Sequence, residues 1–154
     1  MNLKKPHILL ATWFGSGLSP KAPGTCGSLA AIPPGLLLFA SGEIPGLMAG
    51  IVIVTILGFW AAKKFDEEQN SHDSKMIVID EVAGQWIALI PAGLDPVSIV
   101  LSFSLFRLFD ILKPWPVSHF DKNVKGAAGV MGDDIVAGLL AMLCLGGMRY
   151  AGLI

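Results

Sequence analysis

Five carboxylates and two basic side chains stand in three short motifs. Asp80 and Glu81 are adjacent in DEVAG (80–84), and Asp133 and Asp134 are adjacent in GDDIVAG (132–138). Asp110 lies between Arg107 and Lys113 in FRLFDILKPWP (106–116). Each motif has a plain structural reading of its own. Acids at a helix start offset the helix dipole by about 0.3–1 kcal/mol, and Asp is also a common N-cap. Arg107 and Asp110, three residues apart, can form an ion pair on one helix face, with Lys113 three residues further along it. Taken together, however, five carboxylates in one patch would repel one another unless a cation held them. An all-oxygen donor set without a His/Cys cluster selects Mg²⁺ or Mn²⁺ over zinc. Arg107 and Lys113 would then supply fixed donors to a phosphate. Carboxylates, a divalent metal, Arg and Lys are the parts of a phosphoryl-transfer site.

A fourth segment adds anion-binding potential. FGSGLSPKAPGTCGS (14–28) is rich in Gly, Pro and hydroxyl side chains. Glycines let backbone N–H groups approach a ligand, and successive N–H groups can form an anion nest. Ser16, Ser19, Thr25 and Ser28 add hydroxyl donors. On composition alone the segment also reads as an ordinary solvent loop, and the GxxxxGK[ST] phosphate loop is absent.

These motifs sit at the ends of apolar runs. Residues 29–40, 46–62, 77–92, 97–112 and 135–154 are predominantly apolar; a turn at 41–45 separates the first two, and another at 93–96 separates the third and fourth. Several runs are short: 12 residues at a rise of about 1.5 Å cannot cross a hydrocarbon core of about 30 Å. The pattern predicts a single all-α domain over residues 1–154. It is an integral membrane bundle whose short helices are partly re-entrant or interfacial. If the runs alternate across a bilayer, residues 1–28, 63–80 and 113–134 share one side, with 63–75 a polar loop or helix end. That side then holds ten of the eleven Lys and Arg residues and ten of the twelve acids, leaving Arg149, Glu43 and Asp95 opposite. The excess of Lys and Arg over the opposite side assigns it to the cytoplasm, so the acidic site is expected there.

Composition agrees with lipid as the solvent. Hydrophobic residues make up 53% of the chain and charged residues 15%, against about 25% in soluble domains. Mean hydropathy is +0.66. The competing reading, a soluble helical protein with an oversized core, leaves the long apolar runs unexplained. A net charge of −1 without a basic block excludes nucleic acid as a partner. Cys26 and Cys144 have no metal-ligand spacing and read as free thiols; His7, His72 and His119 are isolated and read as non-catalytic. The N-terminus lacks the features of a cleaved signal peptide, so the apolar segments are expected to direct insertion.

At the four motifs, written FGSGLSPxxPGTxGS, DExxG, FRxxDxxKPWP and DDxxAG, the sequence closely resembles the phosphatidylglycerophosphatase A family across about residues 14–138. The resemblance implies a multihelical lipid phosphatase of the bacterial inner membrane. It would need Mg²⁺ and convert phosphatidylglycerophosphate to phosphatidylglycerol. Asp80, Glu81, Arg107, Asp110, Lys113 and Asp134 are the expected catalytic residues. Ser16, Ser19, Gly24, Thr25, Arg107 and Lys113 are expected to bind the substrate phosphate. Asp80, Glu81, Asp110, Asp133 and Asp134 are the expected metal ligands. Water and a carboxylate both stand open as the nucleophile. A cation transporter fits less well, because the acids lie at segment ends on one side and not at mid-bilayer. A CDP-alcohol phosphotransferase would carry a DGxxAR…GxxxDxxxD pattern that is absent.

Overall fold

The computed structural model describes residues 2–70 and 74–154; His72 lies outside them. Every regular element among the described residues is helical. A short helix α1 (Pro6–Ala11) and a 3-10 turn (Ser16–Leu18) lead into α2 (Pro23–Gln69). Then come α3 (Ile79–Leu89), α4 (Pro96–Leu112), the short α5 (Val117–Asn123) and α6 (Ala127–Tyr150).

α2 is two helical arms joined by a sharp break. Gly42 (φ −151°, ψ 17°) and Glu43 (φ 48°, ψ −142°) leave helical geometry, and Pro45 follows where the second arm begins. The chain folds back there: a Cβ on Gly46 would lie 2.6 Å from the Leu38 carbonyl oxygen, and one on Gly50 would lie 2.5 Å from Leu38 Cδ1. The turn expected at 41–45 is therefore real, with apolar runs on either side.

α3 is the axis of the bundle. Below its two acids it is apolar except for Gln85, whose Nε2 donates to Ser102 Oγ at 3.4 Å, and every residue but Glu81 is buried. Trp86 fixes it to the first arm of α2, its Nε1 donating to the Ala31 carbonyl at 2.7 Å. A Cβ on Gly35 would lie 2.7 Å from the Trp86 ring, so a glycine lets the arm close on the indole. On another side α3 meets α6 backbone to backbone. A Cβ on Gly84 would lie 2.5 Å from the Asp134 carbonyl oxygen, and one on Gly138 would lie 2.9 Å from the Gly84 Cα.

Side-chain contacts fix the directions. Gly24 meets Glu81 at one end of the bundle, while Phe39 meets Gly93 at the other. Arg149 donates to Ser98 Oγ at 3.0 Å at that second end; Lys113 donates to Asp133 at 2.7 Å at the first. The two arms of α2, then α3, α4 and α6, alternate in direction, as the spacing of the runs predicts. Asp80, Glu81, Arg107, Asp110, Lys113, Asp133 and Asp134 gather at one end.

The bundle has a wide apolar exterior. Met48, Val52, Ile53 and Ile56 on α2, Val97 and Val100 on α4, and Leu143 on α6 are all exposed. α2 and α6 are long and apolar enough to cross a membrane.

Two sequence expectations change. Residues 23–28 are not loop: Pro23, which needs no intrahelical donor, opens α2. α6 begins at Ala127 and not near Ile135, so Asp133 and Asp134 lie well inside the helix and cap nothing. The polar segment at 63–75, expected as a loop or helix end, supplies the end of α2, which runs to Gln69.

Candidate active site

The helix geometry explains how the acids meet. Asp80 stands one turn before Gly84, and Asp134 one turn before Gly138. Residues four apart share a helix face. The glycine contact that lets α3 touch α6 thus carries Asp80 and Asp134 to the same point. One ligand oxygen from each of Asp80, Glu81 and Asp134 lies within 4.8 Å of the others. Asp80 and Asp134 are buried. Three ionised carboxylates at that separation repel by about 3.5 kcal/mol per pair at an effective dielectric of about 20. Each acidic pair also ties down its own backbone: Asp80 Oδ1 accepts from the Glu81 N–H at 3.0 Å, and Asp133 Oδ1 from the Asp134 N–H at 3.1 Å.

The remaining carboxylates hold cations. Arg107 Nη1 lies 2.7 Å from Asp110 Oδ2 and donates to Ser28 Oγ at 3.3 Å. The i,i+3 ion pair expected on α4 is therefore formed, and Ser28 on α2 braces its arginine. Lys113 Nζ donates to Asp133 Oδ2 at 2.7 Å and to Asp121 on α5. Burial works against the Lys113 ammonium, but those two carboxylates outweigh it and hold its pKa above the ordinary lysine value.

A cavity of about 970 Å³ opens over these groups. Its wall includes Asp80, Glu81, Arg107, Asp110, Lys113, Asp133 and Asp134, together with Gly24, Lys75, Asp121 and Lys125. Gly24 leaves room for two charged side chains: a Cβ there would strike Glu81 Oε1 and lie 3.3 Å from Arg107 Nη1, so the carboxylate would have to shift. It opens α2, whose first N–H groups have no intrahelical acceptor, so the positive end of a helix dipole lies in the wall.

The other residues of the first segment are placed differently. Ser16 donates to the Thr12 carbonyl at 3.2 Å and Ser19 to the Lys21 carbonyl at 2.8 Å. Neither they nor Thr25 line the cavity. Of the five acids expected at a metal, three cluster, while Asp110 and Asp133 are ion-paired. Sequence reasoning missed Ser28 as the brace for Arg107, and Asp121 as the second partner of Lys113. Ser28 lay within the quoted motif, whereas Asp121 lies on α5, in a polar stretch with no distinguishing spacing. His7 pairs with Glu68 at 2.8 Å, and His119 contacts Asn123, both away from the cavity wall.

Oxygen chemistry suits the cluster to a hard divalent cation. Glu81 Oε2 is buried and has no hydrogen-bond partner among the described residues, although buried polar atoms are nearly always satisfied. An acceptor left open beside two further carboxylates is what a cation would complete.

Comparison with known proteins identifies the family. The chain is 40% identical over 144 residues to phosphatidylglycerophosphatase A of Escherichia coli (strain K12), covering 92% of this chain and 82% of that protein. It is 36% identical over 153 residues to phosphatidylglycerophosphatase A of Haemophilus influenzae, covering 97% and 93%. A Bacteroides thetaiotaomicron protein with the provisional name phosphatidylinositol-3-phosphatase is 36% identical over 158 residues, covering 96% and 98%. No solved structure matches the chain at a significant level. The phosphatidylglycerophosphatase A profile matches residues 9–149, which include every residue of the acidic cluster and its cationic neighbours, and the chain belongs to that family of phosphatases.

Proposed function

We propose that this protein is a Mg²⁺-dependent lipid phosphatase that hydrolyses phosphatidylglycerophosphate to phosphatidylglycerol and phosphate in phospholipid biosynthesis. It would work in the bacterial inner membrane with its site facing the cytoplasm. The observation that carries the chemistry is the Asp80–Glu81–Asp134 cluster with its open Glu81 oxygen, set beside Arg107 and Lys113 in one cavity. The substrate name comes from the two relatives called phosphatidylglycerophosphatase A.

Asp80, Glu81 and Asp134 would hold the metal. A divalent cation supplies Lewis-acid polarisation of a phosphoryl oxygen and a more acidic bound water. The protein's own groups do the rest. Arg107, aligned by Asp110 and Ser28, presents a guanidinium to the charge that develops on the phosphoryl oxygens. Lys113 stays protonated and neutralises Asp121 and Asp133 at the rim, so the phosphate meets fewer uncompensated negative charges. Gly24 and the start of α2 add backbone donors.

The membrane reading is supported by two long apolar helices and by the exposed apolar side chains of α2, α4 and α6. A soluble monomer rarely leaves so much apolar surface in water. The charged end of the bundle would stand at the headgroup level, where a lipid phosphate is found. The test is phosphate release from phosphatidylglycerophosphate in detergent micelles by protein stripped with EDTA and reloaded. Activity that returns with Mg²⁺ supports the reading; activity unaffected by stripping sinks the metal assignment.

A further inference from the structure

The cavity wall carries six carboxylates and four cations, and they divide cleanly. Asp80, Glu81 and Asp134 form the cluster. Asp110 takes Arg107; Asp121 and Asp133 take Lys113. Lys75 and Lys125 remain. Both are exposed and neither forms an ion pair among the described residues. They enter from separate places: Lys75 lies in the turn before α3, and Lys125 lies before α6 beside Gly126. The two cations first expected to grip the substrate, Arg107 and Lys113, are thus engaged with protein carboxylates, while two cations outside every motif face the same space unengaged.

We infer that Lys75 and Lys125 anchor a second phosphate of the substrate, the phosphodiester that joins the lipid glycerol to the headgroup. This rests on the lipid phosphatase reading above. A substrate with one phosphomonoester needs a single anionic subsite, which the cluster and Arg107 already provide. Phosphatidylglycerophosphate also carries a diester, and its charge persists in the product. Two flexible ammonium groups suit a diester oxygen better than a fixed fork does, because each acts as a point charge with rotatable donors. The diester does not react, so this contact is made equally in ground and transition states. It belongs in KM and not in kcat. The pair would thereby set substrate preference, favouring lipids with two phosphates over those with one.

The experiment compares wild type with the double variant Lys75→Gln/Lys125→Gln in mixed micelles. Phosphatidylglycerophosphate is the substrate; phosphatidylglycerol, which has only the diester, and inorganic phosphate are the inhibitors. The double variant should raise KM and the phosphatidylglycerol inhibition constant about tenfold each, the worth of one charge-assisted contact. Its kcat and its inhibition constant for inorganic phosphate should stay within roughly twofold. Lys75→Arg/Lys125→Arg, which keeps both charges, should raise KM less than the glutamine pair does. An unchanged KM in an active double variant overturns this inference alone. So does a parallel loss of inorganic phosphate inhibition, which would assign the lysines to the monoester. A wild type that is not inhibited by phosphatidylglycerol overturns it too, and one with no turnover removes the parent reading and this inference together.

Discussion

Gly138→Ala tests whether contact between α3 and α6 builds the site. The added Cβ would fall on the backbone of Gly84, 2.9 Å from its Cα and carbonyl carbon and closer still to its oxygen. Ordinary contact begins at 3.4 Å, so the two helices must part by at least half an ångström. No flexible side chain can give way, because the obstacle is backbone. Overpacking of this kind costs about 1–3 kcal/mol of stability. The effect on chemistry should be larger in proportion. Asp80 and Asp134 ride one turn from the point of contact, and a misplacement of about 1 Å can cost a hundredfold in rate. The expected result is a fall in kcat of about 10- to 100-fold, with a lowered Tm and a weaker response to Mg²⁺. Gly147→Ala is the control. Nothing lies within 4 Å of its Cβ, so it should keep activity and gain about 0.5–1 kcal/mol from helix propensity. The measurements are phosphate release and thermal unfolding in the same detergent. A Gly138→Ala protein with wild-type kcat and metal response would refute the claim that close helix approach positions the carboxylates.

Three further outcomes are expected. Arg107→Lys should lower kcat at least about tenfold, because Nη1 alone meets Asp110 and Ser28, leaving the other planar guanidinium donors for a phosphate, and an ammonium lacks that second set; Ser28→Ala should cost less, since the Asp110 pair survives. Lys113→Gln should reduce activity by leaving Asp121 and Asp133 uncompensated. In wild type the raised Lys113 pKa means its stabilisation is fully present below the unfolded value of about 10.4 and is lost only as pH rises through the higher folded one. A loss of activity between pH 8 and 10 that vanishes in Lys113→Gln would contradict this assignment. Asp95→Ala should lower Tm and leave kcat unchanged. Asp95 caps α4 by accepting from the Ser98 N–H at 2.7 Å, a bond that holds its pKa below the usual carboxylate value. Its contribution is present above the unfolded pKa and lost as pH falls through the folded one, so the Tm gap to wild type should close in acid.

Elements marked by abrupt composition were legible in the sequence. The 41–45 turn stood between two uncharged runs, and α4 lies within one residue of its apolar run because Asp95-Pro96 and Pro114 bracket it. Helix starts inside small-residue stretches were not legible. Residues 23–28 looked like loop because Pro and Gly dominate them, yet Pro23 is well suited to a first helical turn and Gly24 leaves room for Glu81. Residues 127–134 stood ahead of the last apolar run, which starts at 135, yet the helix runs through them and buries Asp133 and Asp134. The carboxylates that would share a site could be named from their positions at segment ends. Their division into a cluster and two cation-holding groups could not, because it depends on α5 supplying Asp121 and on the Gly84–Gly138 contact. Both arise only when the helices pack.

The central claim is that Asp80, Glu81 and Asp134 form one metal-dependent phosphatase centre. It is tested most directly by phosphate release from phosphatidylglycerophosphate for purified wild type and Asp134→Asn, each with Mg²⁺ and with EDTA. The account predicts release by wild type only with Mg²⁺, and at least about a hundredfold less by a folded Asp134→Asn protein under both conditions. Equal release by the two proteins with Mg²⁺, or release by wild type that persists in EDTA, would contradict it.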